Sequence, residues 1–308
     1  MTLPEDFEGH ATTKFGSVCP VCSHTMPSLE SQAELYFEGK QILCYNTACR
    51  APLDYWTTTH RLLGEESATV FGLLLLGASH SEFSFGLMPE ETFDVDLSKY
   101  NIPSNATVLK LSFKTPQPSP NCFPHMFYPE LPVSLQTKFI VYGIPLVGTA
   151  QTKTSVSAEV TWVRNDDETF SWSHLVEAFQ ALASERYRAV ILPAYMAFEL
   201  SLTPLVDEAV KGRISNKYRD MFRSDLSSSL RLNLIVPLLA ELAQAKPMPS
   251  EIQGEINALR QLRNKIVHGG VADTAVPKDE AQQLLCASVF GLEYLRYLRK
   301  RLFPTSAA

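Results

Sequence analysis

Arg263-Asn264-Lys265-Ile266-Val267-His268, followed by Gly269-Gly270, is the stretch whose reading decides the fold of this chain. Ile252, Ile256, Leu259, Leu262 and Ile266 run up to and through it at intervals of 4, 3, 3 and 4, the apolar stripe of an amphipathic helix. Pro249-Ser250 opens that helix, with Ser250 as the N-cap, and the two glycines close it. At roughly 100° per residue, Asn264 and His268 share a face. Arg263 lies one step round the cylinder, with a side chain long enough to reach the same point. The spacing therefore predicts three polar groups converging at the end of one core-facing helix.

Those residue types suit phosphodiester chemistry. A guanidinium is permanently charged and forks onto two phosphate oxygens, and an imidazole both takes and gives a proton near neutral pH. On RNA the 2′-hydroxyl is an internal nucleophile, so no metal is required. With this composition an Arg-x4-His spacing arises by chance about 0.3 times, and with Asn directly after the Arg about 0.01 times. The plainer reading is a solvated helix end, with Lys265 and His268 complementing the helix dipole.

Arg263-Asn264-x3-His268 at the end of a helix, within an all-helical C-terminal region, resembles the signature of the HEPN superfamily. Many of its members are metal-independent endoribonucleases of prokaryotic defence, toxin–antitoxin and CRISPR systems. The resemblance spans residues from near Trp172 to Phe303. It implies that Arg263 and His268 are catalytic, that Asn264 is the polar residue between them, and that an acid on an earlier helix supports the site. Glu199, in Tyr195-Met-Ala-Phe-Glu-Leu, is the candidate by position, with a structural role as its alternative. The resemblance also implies a homodimer. One Arg-His set is thin for a reaction needing base, acid and charge stabilisation together, and two sets across a two-fold axis supply all three.

The second motif is Cys19-Pro-Val-Cys22 and Cys44-Tyr-Asn-Thr-Ala-Cys49, two close pairs separated by 21 residues. Four thiolates meet the tetrahedral, closed coordination of structural Zn2+, so residues 1–60 read as a zinc ribbon. Leu35-Tyr-Phe and Gln41-Ile-Leu around Glu38-Gly39-Lys40 predict a hairpin that returns the second pair to the first. The second pair encloses four residues rather than two, and His24 stands close enough to replace a cysteine. Disulfides are the alternative in an oxidising compartment. Such a metal holds a small segment together or presents loops for recognition. Cys122 and Cys286 read as free cysteines.

Residues 61–168 read as a small β-rich sensor or regulatory domain. Leu109, Leu111 and Phe113 alternate with Lys110 and Ser112, and Val156, Ala158, Val160 and Trp162 alternate with Ser157, Glu159 and Thr161. A proline-rich loop (Pro116, Pro118, Pro120, Pro124, Pro129, Pro132) interrupts it, and Arg164-Asn-Asp-Asp-Glu168 marks its end. Residues 169–308 read as a bundle of helices at Trp172–Arg186, Ala189–Lys211 with Pro204 kinking or breaking it, Arg219–Ala245, the motif helix, and Lys278–Arg301. The fold class is thus α+β, multidomain.

Of 308 residues, 45% are hydrophobic and 19% charged, enough for two or three cores. The longest apolar run, Val70–Ala78, is nine residues, short of a span, and the first residues carry no secretory pattern, so the expectation is a cytoplasmic protein with no membrane partner. Residues 1–170 hold 10 Lys+Arg against 19 Asp+Glu, and residues 171–308 hold 17 against 14. The helical half is therefore the better RNA partner. Arg296, Arg299, Lys300 and Arg301 cluster there, as a polyanion patch or as ordinary last-turn cations. Two functions follow. One is an RNA-cleaving effector of a defence or toxin-like system with a phage-derived or antitoxin trigger. The other is a non-catalytic HEPN-type module binding RNA, nucleotide or protein.

Overall fold

The structure, a computed structural model, describes residues 8–13, 17–63, 76–115, 121–127, 138–146, 152–164, 169–211, 214–218, 220, 226–268 and 275–304. Its strands are β1 (Glu8–Thr13), β2 (Ser17–Val18), β3 (Thr25–Met26), β4 (Ser79–Leu87), β5 (Thr92–Asp96), β6 (Ala106–Lys114), β7 (Cys122–Phe127), β8 (Lys138–Pro145) and β9 (Thr154–Arg164). Contacts group the chain into two compact units where the sequence pattern anticipates three segments. One unit joins β1 to the strands from β4 to β9. The other joins the cysteine segment to the helices that follow residue 169. The segment 1–60 is thus divided: β1 pairs antiparallel with β4, and the cysteines belong to the helical unit.

The strand unit holds an antiparallel sheet in the order β1-β4-β9-β6 and a second in the order β5-β8-β7. Alternation on β9 is as its sequence predicts, with Val156, Ala158, Val160 and Trp162 all in the core. On β6 the pattern shifts. Val108 opposes Trp162 and Lys110 opposes Thr161, so Leu109 is an extra residue in a bulge. Ala106 and Val108 face the core before it, and Leu111 and Phe113 lean on the core after it. Tyr100 stacks on Phe83 at 3.7 Å between ring centroids, and Phe93 on Phe85 at 4.7 Å. Of the six prolines in the predicted loop, only Pro124 falls on described residues; it lies in β7, an edge strand where a missing N–H is tolerated. Residues 165–168, the predicted boundary, lie outside the described residues.

The helices are α1 (Leu29–Phe37), α2 (Tyr55–Leu63), α3 (Thr169–Ala183), α4 (Tyr187–Val210), α5 (Val236–Leu242), α6 (Ser250–His268) and α7 (Lys278–Leu302). The predicted hairpin between the cysteine pairs is instead α1. Its apolar positions Leu29, Ala33 and Phe37 recur at intervals of four, a helical period rather than a strand's. Ser28 caps the start, its Oγ accepting from Ser31 N at 3.3 Å. Gly39, at φ +64°, ends it: its N–H reaches Tyr36 O at 2.9 Å and the Lys40 N–H reaches Leu35 O at 2.9 Å, the paired bonds of a left-handed helix stop.

Apolar, 24-residue α4 has the length and composition of a membrane span, yet 56% of its most apolar window is buried within the protein. It runs through Pro193 and Pro204 without a break. Before α5 come one helical turn (Ser228–Leu230) and a π turn (Arg231–Ile235), which with α5 are the described helical part of the predicted 219–245 helix. Helix α6 buries Ile252, Ile256 and Leu259 completely, whereas Leu262 and Ile266 are half-buried, so its packing loosens toward the motif.

Gly143 on β8 is the tightest glycine in the strand unit. Its N–H donates to Glu91 O at 3.0 Å and its carbonyl accepts from Glu90 N at 2.8 Å, while a Cβ there would meet Met88 O at 2.2 Å. Gly143→Ala is therefore expected to destabilise the protein by about 2–3 kcal/mol through overpacking, read as a lower midpoint in urea.

Candidate functional site

Two loops of related geometry bring four cysteines together. The β2–β3 pairing closes the first, with Cys19 N donating to His24 O at 2.8 Å, and the Leu43–Pro52 bridge closes the second, with Cys44 N donating to Ala51 O at 2.8 Å. In each loop the second cysteine is followed at once by a left-handed residue, Ser23 at φ 56° and Arg50 at φ 49°. The two additional residues of the second loop are absorbed by a turn at Asn46, whose Oδ1 accepts from Ala48 N at 3.0 Å and whose carbonyl accepts from Cys49 N at 2.9 Å. The spacing C-x4-C thus ends in the same geometry as C-x2-C.

All four sulfurs lie within 4.8 Å of one another. Cys19 Sγ stands 3.9 Å from Cys49 Sγ, and Cys22 Sγ 3.6 Å from Cys44 Sγ. A tetrahedron with metal–sulfur bonds of 2.3 Å has edges of about 3.8 Å, so the set fits one metal ion such as zinc. A disulfide needs sulfurs about 2 Å apart, and all six cysteines are free. His24 is exposed and outside the cluster. Burial raises the Cys19 thiol, but the backbone N–H groups of Val21 and Cys22 and the neighbouring thiols bring it down to about 7; burial pushes Cys44 up to about 12. One thiolate forms readily and its neighbour resists, an imbalance that a divalent cation relieves.

The second site lies where α6 meets α4. On α4, Tyr195 and Glu199 are four residues apart and so share a face. The Arg263 guanidinium lies over the Tyr195 ring, 5.7 Å from its centroid, and its Nη1 donates to Asn264 Oδ1 at 3.0 Å. Glu199 Oε1 accepts from Ser228 Oγ at 2.6 Å, just ahead of the π turn. Burial raises the Tyr195 hydroxyl; the bond with Ser228 and the charges of Arg263 and Arg260 act against that rise, and Glu199 adds to it. The Nε atoms of Arg260 and Arg263 are buried without a hydrogen-bond partner.

Of the residues the sequence singles out, Arg263 and Asn264 are brought together and face the cluster that holds Glu199. His268 is not. It is exposed on the last described turn of α6, with no polar partner among the described residues. Five residues of α-helix separate it from Arg263, about 140° round the cylinder, and Arg263 is turned toward α4 instead. Tyr195, Ser228 and Arg260 are the members the sequence reading misses. A Tyr-x3-Glu pair in the apolar middle of a helix and a second Arg three residues before the first are visible signals; Ser228 offers none, because only the fold brings it to α4.

The four cations near the end of α7 are not a free patch. Arg299 pairs with Glu208 at 3.1 Å, Lys300 with Glu30 at 3.4 Å and Arg301 with Glu38 at 2.9 Å. Arg296 Nη1 donates to Leu76 O at 3.0 Å while its guanidinium lies 4.8 Å from the Trp172 ring centroid. In the strand unit an open cleft of about 700 Å³ is lined by Glu82, Phe113, Lys114, Phe123 and Glu159, among others. Its acids are engaged, Glu159 by Lys114 and Ser112, and Glu82 by Ser157.

No family model, curated protein or solved structure matches the chain.

Purified protein is expected to carry about one metal ion per chain by mass spectrometry of the elements. Cys19→Ser or Cys44→Ser should each lower Tm by roughly 10 °C, on the order of 3 kcal/mol, by loosening the segment the ion closes. Stoichiometric metal in a chain with all four cysteines replaced would remove the site.

Proposed function

We propose that the helical unit is a metal-independent endoribonuclease of the HEPN type. The observation that carries this reading is the arginine cluster on α6. Arg263 is fixed over Tyr195, with its charge unmatched by a carboxylate among the described residues, one to two turns from an exposed histidine. In this reading Arg263 holds the scissile phosphate, Asn264 orients it through the 3.0 Å bond, and His268 moves the proton of the 2′-hydroxyl or the leaving 5′-oxygen. Glu199 acts indirectly, positioning Tyr195 and so Arg263 through Ser228.

Because Arg263 and His268 diverge around one helix, two copies supply a complete set better than one, which supports a homodimer. The four cysteines hold a structural zinc ion in this reading: all four positions are taken by thiolate, leaving none open for a substrate, so cleavage proceeds without the metal. The cytoplasm fits free thiols poised for metal. An effector role in phage defence, released by a phage-derived or antitoxin trigger, is part of the same proposal. The same divergence favours a second reading, a module that binds RNA, nucleotide or protein and cleaves nothing.

Incubation with total tRNA and single-stranded RNA, in chelator sufficient to remove Mg2+, separates the two. Cleavage leaving 2′,3′-cyclic phosphate and 5′-hydroxyl ends is expected, with His268→Ala and Arg263→Ala each reducing it about 10²–10⁴-fold at unchanged helix content. Arg263→Lys should also be poor, since a point charge does not reproduce the two-pronged grip. Full activity in His268→Ala, free of host nucleases, removes the catalytic reading; tight binding without cleavage supports the module.

A further inference from the structure

We propose that Arg260 is the second anion-holding group of the α6 site, gripping the phosphate next to the one held by Arg263 on a single-stranded RNA. The identity of the ligand rests on the ribonuclease reading; the clamp itself rests on the geometry.

Arg260 and Arg263 are three residues apart on α6, so their side chains leave the same face about one turn apart along the axis. Arg263 lies over the Tyr195 ring at 5.7 Å, and the charges of both arginines bear on the Tyr195 hydroxyl, so both belong to the side of α6 that meets α4. Neither forms an ion pair among the described residues, and the Nε of each is buried without a partner. Glu199, the acid near Tyr195, accepts at Oε1 from the Ser228 hydroxyl at 2.6 Å and forms no ion pair with either arginine among the described residues. Two positive charges near Tyr195 therefore have one acid beside them, and that carboxylate is engaged by a hydroxyl.

The half-buried cations near the end of α7 differ: Arg296, Arg299 and Arg301 each have a carboxylate partner, as does the more exposed Lys300. Half-burying a guanidinium without its counter-charge is unfavourable, and such an exception points to a ligand that supplies the charge. A strand with linked phosphates supplies two, at a spacing that two forks on neighbouring turns can address. Tyr195 then acts as a positioning residue, a rigid ring against which Arg263 is held.

Fluorescence anisotropy with a labelled, 2′-O-methylated single-stranded RNA, which has no 2′-nucleophile, reads binding apart from cleavage. Across a salt series Arg260→Gln should raise Kd about tenfold and reduce the salt slope by about one. Arg260→Lys should keep the slope with weaker binding, whereas removing the same charge at exposed Lys278 (Lys278→Gln) should leave Kd within about twofold. Circular dichroism melts check that each variant is folded, and Arg260→Lys stands in if Arg260→Gln is not. A wild-type Kd and slope in folded Arg260→Gln overturn the clamp, even where RNA cleavage itself is observed. Binding of ADP but not of the strand, lost in Arg260→Gln, keeps the clamp and assigns it to a free diphosphate, removing the RNA reading. Binding of neither probe by the wild type overturns the clamp.

Discussion

Burial of α7 is the constraint on which the helical unit depends. From Ala281 to Leu295 nearly every side chain is out of solvent, including Gln282, Ser288 and Glu293, so this helix is enclosed on all sides. Helices α4 and α6 pack on one part of it, and α1 and α2 on another. Gly291 marks the closest approach: a Cβ there would meet Ile256 of α6 at 2.5 Å and Phe198 of α4 at 3.0 Å. Ser288 Oγ donates to Ala194 O at 2.6 Å, tying α7 to the turn of α4 that carries Tyr195. The position of Tyr195 relative to the arginines of α6 is thus set by two helices held to a third.

The same helix organises the cysteine segment. Phe37 at the end of α1 meets Tyr294 edge-on at 5.1 Å and Tyr297 at 5.5 Å, and Glu38 bonds to both Tyr297 and Arg301. The Tyr297 hydroxyl holds the Glu38 carboxyl below its usual range, and Arg301 adds to that against the effect of burial. Lys246, in the connection before α6, donates to Glu38 O at 2.6 Å. Polar staples of this kind fix register between elements already brought together by apolar packing. A metal ion bound by the four cysteines would close loops that lean on the same spine as the arginine cluster.

Electrostatic pairing distinguishes two groups of cations in this unit. The last turn of α7 reads in the sequence as the strongest basic patch, yet its charges are spent on Glu30, Glu38, Glu208 and Glu293, and it joins α1 and α4 to α7. The arginines of α6 are fewer and less conspicuous, and they lack such partners. A count of Lys and Arg does not distinguish the two, because what matters is the nearest carboxylate in space.

The sequence by itself determined the local periodicities. The stripe of α6, the alternation of β9, the length of α7 and the four-cysteine set are all written in intervals of residues, because a helix or strand enforces its own period on side-chain direction. It also located Arg263 and Asn264 beside one another at a helix end. Only tertiary structure decided what those elements face. Leu35-Tyr-Phe is compatible with either strand or helix, and packing of Phe37 on α7, with Ser28 and Gly39 as stops, settled it as the end of a helix. Leu109 lost its partner on β9 to a bulge, although it remains buried. The cysteine segment joined the helices rather than standing alone, since a core so small is buried only against a larger one. Arg263 turned toward Tyr195 and away from His268 because a buried aromatic on another helix, 68 residues earlier in the chain, lies on that side. Periodicity is a property of neighbours in sequence, and the direction of a long, charged side chain is set by neighbours in space.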